Sequence, residues 1–529
     1  MTEKILVSDK ISEDGLEVFR RAGFHVDHLP EITQDQIREQ IGQYTGWVIR
    51  SRSRATADII EKADKLRVIG RAGVGVDNVD TVAATRKGII VMNTPGGNTT
   101  STAEHTVSMM LAIARLIPQA DASMKAGQWD KKSFNGVEFS GKVLGIMGLG
   151  RIGQEVAKRL KSFDMHILGY DPFLSHDRMR QLGVEACTVD EICQRADFIT
   201  VHTPLSPETK DLIGAAQFAM MKKSTRVVNC ARGGIINEEA LLEALQTKKI
   251  AGAALDVFTV EPIAADHPFR KLSNIVITPH IAASTTEAQE NVAIQVAEQI
   301  AEMLKGGAVR NALNVPSVDP EMLPTLGPFM MLAEKLGRFV SQYRRGRVTR
   351  LTVRFSGTIL DYPLGPVTTA VIKGFLDRVS DFPVNFVNAH QILKDRGVEL
   401  VETRHSEVFQ YTNLITVEVE KEGGEKTRVS GTLFTTSHPR IVIFGDKHVN
   451  AIPEGNLIVI ENEDVPGIIG AVGTVFGNNA VNIGQMTWGR KSEDKMAMTI
   501  INIDSPVSDS VIEQLAALKN VKSVDLIVL

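Results

Sequence analysis

A glycine-rich run, Gly148-Leu149-Gly150-Arg151-Ile152-Gly153, is the feature that most constrains how this chain folds. It follows an apolar, strand-like segment at 143–147 and opens a helix-like segment at 152–163. The next strand-like segment ends in Asp171, 18 positions after the last glycine. In a strand–turn–helix unit, glycines let the backbone approach a pyrophosphate, and an acidic residue at this spacing binds ribose hydroxyls and repels the 2′-phosphate of NADP. The run predicts an NAD site formed by Gly148, Gly150, Arg151, Ile152, Gly153 and Asp171.

Strand-like and helix-like segments alternate through the first 315 residues, which is the pattern of parallel α/β sheets. One series begins at "KILVSD", and a second, more regular series begins at "GKVLGIMGLGRIG". Long helix-like segments at about 98–120 and 284–307 join the two series. We therefore predict an α/β fold with two Rossmann-like or flavodoxin-like parallel-sheet domains.

The regular alternation of strand-like and helix-like segments ends after residue 315. Prolines at positions 316, 320, 324 and 328 mark a boundary. Residues 316–453 mix alternating strand-like segments with helices, which predicts an α+β domain. Residues 454–529 follow the order strand, helix, strand, strand, helix, strand, which predicts a ferredoxin-like βαββαβ domain.

Charge and composition narrow the class of protein. The formal net charge is −4 over 529 residues, so no basic field favours a nucleic-acid partner. The three cysteines, at positions 187, 193 and 230, form neither a disulfide framework nor a zinc spacing. The N-terminus lacks the features of a signal peptide, and no apolar run of membrane-spanning length follows. We expect a cytoplasmic protein without a metal, nucleic-acid or membrane partner.

Three chemically complementary residues follow later strand-like segments: Arg232, Glu261 and His280. Ligands of open parallel sheets collect at the carboxyl ends of the strands, so these side chains can converge. Arginine can hold a carboxylate through two hydrogen bonds, and histidine can exchange a hydroxyl proton near neutral pH. The glutamate can orient the imidazole and favour its charged form. A plainer alternative stays open for two of them, because histidine after proline is often structural and Glu261 could be a solvated turn residue.

The segments "VLGIMGLGRIGQEVAKRL", "VVNCARGGIINEEAL", "ALDVFTVEP" and "ITPHIAASTTEA" resemble the D-isomer-specific 2-hydroxyacid dehydrogenase family. The resemblance covers about residues 1–315. It implies a discontinuous substrate-binding domain, residues 1–97 and 283–315, around an NAD-binding domain, residues 98–282. It also implies that Arg232 binds the substrate carboxylate, that His280 is the acid/base and that Glu261 is its partner. Further NAD-site residues implied by the resemblance are Thr203, Pro204, Ala231 and Asp256, with Asp256 near the nicotinamide carboxamide.

The N-terminal series carries a cluster of arginines that bears on the substrate. Arg50, Arg52 and Arg54 follow a strand-like segment, and alternate residues of an extended run point to the same side. Lactate or glycerate needs no such cluster, whereas arginine suits the geometry of a phosphate. Solvated surface charge is the plainer alternative for at least one of them. The cluster therefore predicts a phosphorylated 2-hydroxy acid. Together with the chain length and the C-terminal βαββαβ unit, it resembles long members of this family that act on D-3-phosphoglycerate, which implies that substrate, with Arg50, Arg71, Gly73 and Val74 at its site.

The segment "ENEDVPGIIGAVGTVFGNNAVNIGQMTWGR" resembles the amino-acid-binding motif of ACT domains. The resemblance implies that residues 454–529 form an ACT regulatory domain and that residues 316–453 form an intervening domain. It also implies a homotetramer and feedback by L-serine, with Asp464, Gly467 and Asn482 as the effector residues. An ACT domain that serves only assembly is the alternative.

Two classes of function stay open on this evidence. The first is NAD-dependent oxidation of D-3-phosphoglycerate to 3-phosphohydroxypyruvate, with another D-2-hydroxy acid as the alternative substrate. The second is an NAD-sensing regulatory protein built on a dehydrogenase scaffold. A sensor needs no acid/base pair, so the set of Arg232, Glu261 and His280 favours the enzyme.

Overall fold

Four β-sheets follow one another along the chain, and each organises one structural unit. The computed structural model describes every residue except 1–2, 317–320, 345, 381–382, 406–410, 436 and 491–494. The α/β fold class predicted from the sequence is confirmed. None of the helices in the described part of the chain meets the length and hydropathy that crossing a lipid bilayer requires.

The first sheet is wholly parallel and is built with four helices. Its elements are β1 (Lys4–Val7), α1 (Glu13–Arg21), β2 (His25–His28), α2 (Gln34–Gln40), β3 (Gly46–Ile49), α3 (Ala57–Glu61), β4 (Val68–Arg71), α4 (Thr81–Lys87) and β5 (Ile90–Met92). The strand order is β2-β1-β3-β4-β5. The central strands are continuous apolar runs because both faces of the sheet are covered. β2 lies at the edge and is half-exposed, so its sequence carries little strand signal.

The second sheet is also parallel. Its elements are α5 (Thr99–Arg115), α6 (Ile117–Lys125), β6 (Val143–Met147), α7 (Arg151–Lys161), β7 (His166–Tyr170), α8 (His176–Gln181), β8 (Glu185–Ala186), α9 (Val189–Arg195), β9 (Phe198–Val201), α10 (Ala215–Met220), β10 (Arg226–Asn229), α11 (Glu238–Gln246), β11 (Gly252–Leu255) and β12 (Ile275–Ile277). The strand order is β12-β11-β10-β9-β6-β7-β8. The chain leaves β6 for β7 on one side and later returns to β9 on the other. This switch point opens a crevice at the carboxyl ends of the strands.

A long helix, α12 (Thr286–Leu304), carries the chain back to the first unit. Its buried face, including Ala293 and Val296, packs in the same core as β1, β3 and β4. α1 and α12 touch closely, because a side-chain carbon added at Gly15 would lie 2.8 Å from the Ala293 methyl. The first unit is therefore formed by two separate stretches of the sequence. The residue boundaries of the four expected domains stay predictions.

The third unit has a mixed sheet and the fourth an antiparallel one. The third contains α13 (Leu323–Gln342), β13 (Val348–Gly357), α14 (Gly365–Leu376), α15 (Ala389–Asp395), β14 (Glu399–His405), β15 (Asn413–Lys421), β16 (Lys426–Phe434), β17 (His438–Phe444) and β18 (Lys447–Ala451). The fourth contains β19 (Asn456–Glu463), α16 (Ile468–Asn478), β20 (Ile483–Arg490), β21 (Met496–Ile503), α17 (Asp509–Ala516) and β22 (Val521–Val528), in the strand order β20-β21-β19-β22. This is the βαββαβ arrangement that the sequence predicts.

One apolar core extends across the third and fourth units. Side chains of β19, β21 and β22, such as Val459 and Ile500, lie in the same buried cluster as those of α13 and β13. Arg344 also donates to Ser523 at 3.0 Å and pairs with Glu461. The two C-terminal units therefore pack as one body.

The proline cluster marks the start of the third unit less sharply than expected. Pro324 lies in the first turn of α13 and Pro328 lies inside that helix, so neither ends the previous unit. The first turn tolerates proline because its N–H groups lack intrahelical partners in any case. Pro316 precedes the helix, and Pro320 lies outside the described residues.

Candidate active site

The glycine-rich turn has the backbone geometry of a dinucleotide cradle. Gly148 follows β6 with φ 95°, and a side-chain carbon there would lie 2.6 Å from the carbonyl oxygen of His202. A side-chain carbon at Gly153 would lie 2.1 Å from the carbonyl oxygen of Gly148. Around Gly150, at the N-terminus of α7, the space is open. Close packing requires glycine at the first and last positions, and the open middle position lets a ligand approach the helix N-terminus.

Asp171 lies directly behind this turn, at the end of β7. Its Oδ2 accepts a hydrogen bond from the backbone N–H of Leu149 at 2.8 Å, and its Oδ1 accepts one from Phe173 at 2.9 Å. The carboxylate is thus fixed beside the turn, where the ribose of a bound dinucleotide would lie. Arg151 is the first residue of α7.

A cleft of about 940 Å³ separates the first and second units at the carboxyl ends of their strands. Its size suits a cofactor together with a small substrate. The predicted residues that line this interdomain cleft are Arg50, Arg71, Gly73, Val74, Ile152, Thr203, Pro204, Ala231, Arg232, Glu261 and His280.

Buried polar atoms in the wall of the cleft test whether NAD fits. Asn98 Oδ1, Thr102 Oγ1, His202 Nδ1 and Thr203 Oγ1 are buried and have no hydrogen-bond partner among the described residues. A buried polar atom without a partner costs free energy, so such a wall favours a polar ligand. Burial also lowers the pKa of His202 to about 4, so its ring is neutral near pH 7. The residues present therefore fit a dinucleotide.

The histidine and the glutamate form a hydrogen-bonded pair. His280 Nδ1 and Glu261 Oε2 are 2.7 Å apart, and Glu261 Oε1 accepts a hydrogen bond from the backbone N–H of Phe258 at 2.9 Å. The glutamate is thus held from one side while it orients the imidazole from the other. His280 Nε2 has no partner among the described residues, and the ring lines the cleft. The arrangement leaves one ring nitrogen for a substrate hydroxyl.

Asp256, the first residue after β11, is held by hydrogen bonds behind the wall of the cleft. This residue is fully buried and does not line the cleft. Its Oδ1 accepts hydrogen bonds from the Ile281 N–H at 2.9 Å and the Thr278 hydroxyl at 2.6 Å, and its Oδ2 accepts one from the Ala282 N–H at 2.9 Å. His105 Nε2 lies 3.3 Å from Oδ1.

Burial alone would raise the pKa of Asp256, but these hydrogen bonds outweigh it and hold the pKa below its ordinary value. The loop that Asp256 anchors includes His280, whose φ of 54° is unusual for a residue with a side chain. Asp256 therefore fixes the loop that carries His280, and its place near the nicotinamide carboxamide stays a prediction.

Arg232 stands at the end of β10 because its neighbours hold the chain there. The Asn229 side chain accepts from the Ala231 N–H at 3.0 Å and donates to the Arg232 carbonyl at 2.8 Å. A side-chain carbon at Gly233 would lie 2.0 Å from the backbone of Phe258, so this glycine is required by close packing. The guanidinium donates from Nε to Asp77 Oδ2 at 3.1 Å, across the cleft.

The arginines of the first unit gather on the opposite wall. Arg50, Arg54 and Arg71 line the cleft together with Arg232. Burial, then repulsion from Arg232 and Arg50, lowers the pKa of Arg71 to about 10. Its Nη2 donates to Ser51 at 3.4 Å, and its Nε is buried with no partner in the described part of the chain. Such a cluster is stabilised by an anion that binds among the guanidinium groups.

Arg52 does not line the cleft, unlike Arg50 and Arg54, and is the exception that the sequence left open. β3 ends at Ile49, so the alternation of an extended strand does not continue through residues 50–54. Arg52 donates instead to the carbonyl oxygens of Ser8 at 2.7 Å and Ile32 at 3.1 Å. The buried carboxylate of Asp9 sets this turn, because it accepts from the N–H groups of Arg50 and Ser53.

Sequence reasoning missed several residues that shape the cleft. Asp9, Asp77 and Asn78 were not selected, although the run "GVGVDNVD" follows a strand end. Asn78 Nδ2 donates to the carbonyl oxygens of Arg50 and Ser53, at 2.6 Å each. His202 was also missed, and its position just after β9 was the available signal.

The predicted effector residues lie at two different ends of the fourth sheet. Asp464 follows β19, where its N–H bonds to Lys495, and Gly467 caps α16 nearby. Asn482 precedes β20 at the opposite end, since Ile483 is level with Ile503 and Asn456. About seven residues of strand, roughly 23 Å, separate the two ends. A single chain does not bring these three residues together.

Among the described residues, no group of three or more His, Cys, Asp or Glu side chains is placed to hold a metal ion.

Comparison with known families gives three matches along the chain. The NAD binding domain of the D-isomer specific 2-hydroxyacid dehydrogenases matches residues 107–282. The intervening domain of D-3-phosphoglycerate dehydrogenase matches residues 325–444, and the ACT domain matches residues 456–520.

Relatives match over nearly the whole chain. A D-3-phosphoglycerate dehydrogenase from Archaeoglobus fulgidus is 43% identical over 520 residues, which cover 98% of each chain. One from Methanocaldococcus jannaschii is 44% identical over 525 residues, and one from Bacillus subtilis is 40% identical over 531 residues, each covering 99% of both chains.

Solved structures match the first part of the fold. The TT0316 protein from Thermus thermophilus is 32% identical with a TM-score of 0.55, covering 59% of this chain and 99% of that one. The D-lactate dehydrogenase from Escherichia coli is 27% identical with a TM-score of 0.52, covering 59% of this chain and 100% of that one. Since the second is named for a different substrate, the fold by itself does not select the substrate.

Proposed function

Because this chain belongs to the D-3-phosphoglycerate dehydrogenases of the D-isomer specific 2-hydroxyacid dehydrogenase family, we propose that it is an NAD-dependent oxidoreductase acting on that substrate. It oxidises D-3-phosphoglycerate to 3-phosphohydroxypyruvate, the first step of L-serine biosynthesis. The family, enzyme class and cofactor predicted from the sequence are confirmed by the matches. The observation that carries the activity is the shared cleft, which holds the pair of His280 and Glu261 opposite a cluster of arginines.

The two anionic groups of D-3-phosphoglycerate suit the two sides of the cleft. Arg232 belongs to the second unit and presents a planar fork, which suits the carboxylate beside the reacting carbon. Arg50 and Arg71 belong to the first unit, beside Gly73 and Val74, and suit the phosphate. A substrate held in this way bridges the units, so the charge at each end sets the orientation of the carbon between them.

The proton moves through the pair of His280 and Glu261. In the oxidation direction, His280 Nε2 accepts the proton of the substrate's 2-hydroxyl group as the carbon–oxygen bond becomes a carbonyl. The imidazole then carries a positive charge, which Glu261 compensates through its 2.7 Å contact with Nδ1. Asp256 holds the loop so that the ring keeps this orientation.

Residues around the glycine-rich turn hold the cofactor. The N-terminus of α7 suits the pyrophosphate, and Asp171 suits the adenosine ribose. Thr102, His202 and Thr203 offer polar atoms that have no partner within the described ranges of the chain. When bound, NAD supplies the acceptor for the hydride that leaves the substrate carbon.

The fourth unit is an ACT domain, and L-serine is its proposed effector. Asp464 and Gly467 lie at the opposite end of the sheet from Asn482, so a complete site needs two chains. β20 is the outer strand of its sheet, and two copies related by a two-fold axis place opposite ends side by side. A homotetramer, as predicted, would provide such pairs. Calorimetric titration with L-serine, together with light scattering, tests both points, and a monomer that gives no heat with serine would contradict them.

A direct assay tests the activity. NADH absorbance is followed with 3-phosphoglycerate, D-glycerate and D-lactate, each with and without L-serine. Strong preference for the phosphorylated acid is expected, because the unphosphorylated acids leave Arg50 and Arg71 without an anion. Turnover of D-glycerate or D-lactate at a similar rate would assign another hydroxy acid. NAD binding without turnover of any of the three would support the NAD sensor.

A cytoplasmic location stays a prediction, and two relatives from Arabidopsis thaliana are named chloroplastic.

A further inference from the structure

An ion pair links the first and second units across the cleft. Arg232 Nε donates to Asp77 Oδ2 at 3.1 Å, and Asp77 belongs to the loop that follows β4 in the first unit. Arg232 Nη1 donates to the Ala231 carbonyl at 2.7 Å. With Nη1 engaged, Nε and Nη2 form the edge on which a carboxylate is held by two hydrogen bonds. Asp77 takes the Nε end of that edge.

The loop is built so that Asp77 can reach Arg232. A side-chain carbon at Gly75 would lie 1.9 Å from Arg232 Nη2 and 2.9 Å from Asp77 Oδ2, so the ion pair fills the space that a side chain at position 75 would take. φ at Gly75 is not positive, so space and not backbone conformation explains the glycine. The next residue, Asn78, is tied to the carbonyl oxygens of Arg50 and Ser53. The backbone beside Asp77 is therefore anchored while its side chain is 78% exposed.

The pair involves the residue assigned to the substrate carboxylate. Of the acidic side chains that line the described part of the cleft, Glu261 is engaged by His280 and Asp77 by Arg232. A carboxylate of the chain thus occupies the fork that a carboxylate of the substrate needs. Both cannot take the Nε end of one guanidinium together.

We propose that Asp77 is an internal competitor of the substrate carboxylate, which neutralises Arg232 in the empty cleft and is displaced when the acid binds. This inference rests on the proposed function and adds a residue that sets substrate affinity. Displacement needs only a side-chain rotation, because the anchored backbone stays in place. Each binding event then loses one exposed ion pair and gains one charge-assisted contact between Arg232 and the substrate carboxylate.

The test is Asp77→Asn in the full chain, with NAD saturating and D-3-phosphoglycerate varied. The amide keeps the shape of the side chain but removes the competing charge. KM for the acid is expected to fall by about 1.5- to 5-fold, the worth of one exposed ion pair, while kcat changes less than KM. Calorimetric titration with D-3-phosphoglycerate gives a second readout that needs no turnover, and its Kd should fall by the same factor. Inorganic sulfate should also inhibit the variant more strongly than the wild type.

Asp64→Asn is the matched control. Asp64 is 80% exposed and pairs with Lys87 at 3.0 Å in the same unit, away from the cleft. It should leave KM, Kd and sulfate inhibition unchanged. A KM that stays the same or rises in Asp77→Asn would overturn the inference, and a rise would make Asp77 a positioning residue for Arg232. Wild-type protein that does not oxidise D-3-phosphoglycerate would overturn the proposed function itself, while the calorimetric comparison would still decide the competition.

Discussion

Replacement of Arg71 by methionine should stabilise the protein while it damages substrate binding. Arg71 is largely buried, and its guanidinium faces Arg50 and Arg232. Burial and these like charges lower its pKa to about 10, which is two to three pKa units below the ordinary value for arginine. At about 1.4 kcal/mol per unit, the charged side chain costs the empty folded state about 3 kcal/mol near neutral pH. Methionine is similar in length and carries no charge, so Arg71→Met should recover up to that amount.

Scanning calorimetry at pH 7 measures the effect on the first unfolding transition. Without ligand, Arg71→Met should unfold at a higher temperature than the wild type. With D-3-phosphoglycerate the difference in unfolding temperature between the two proteins should shrink or change sign, since the ligand stabilises only the protein that binds it. KM for the phosphorylated acid should rise by about 10- to 100-fold, as for loss of one charged hydrogen bond.

Arg67→Met is the control for this experiment. Arg67 precedes the same strand but is half-exposed and pairs with Glu3 at 3.2 Å, so its loss should change stability little. If Arg71→Met unfolds at a lower temperature than the wild type without ligand, other groups of the chain already compensate the charge of Arg71. The reasoning from burial and repulsion would then be refuted.

Three other predictions address the cofactor site and the acid/base. His280→Ala should abolish turnover while NAD still binds, as measured by steady-state rates and by quenching of protein fluorescence; retained turnover at neutral pH would remove the residue from its role. Gly153→Ala should raise KM for NAD by about 5- to 150-fold, because its methyl carbon would lie 2.1 Å from a backbone oxygen and such overpacking costs about 1–3 kcal/mol; an unchanged KM would show that the turn relaxes. His202 has a pKa of about 4 in the folded state, below its ordinary value, so the unfolded chain binds the extra proton and stability falls between about pH 6.5 and 4. His202→Gln should lose less stability over that range in thermal unfolding, and equal loss in both proteins would contradict the assignment.

Local patterns predicted the elements that carry the chemistry. β6, the turn from Gly148 to Gly153 and Asp171 are neighbours in sequence, and their geometry follows from the short connections between them. Arg232, Glu261 and His280 are far apart, but each follows a strand of one parallel sheet. A parallel sheet brings its carboxyl ends to one edge, so the strand pattern was enough to bring them together.

Side-chain direction beyond a strand end could not be predicted in the same way. Arg52 and Arg54 share the parity of Arg50, yet Arg52 turns away because the buried carboxylate of Asp9 bends the chain after Ile49. Asp256 lies at a strand end like the three candidate catalytic residues, but donors from the loop after β12 enclose it. In both cases the deciding partners are more than 20 residues away.

The sequence by itself determined the fold class and the cofactor and predicted the pair of His280 and Glu261, because strand periodicity, glycine spacing and residue chemistry act over short distances. The tertiary structure alone decided which arginines face the cleft and that Asp77 forms an ion pair with Arg232. It also decided that Asp464 and Asn482 lie at opposite ends of the fourth sheet. These depend on contacts between distant segments, and a sequence pattern carries no information on which distant carboxylate will meet a given guanidinium.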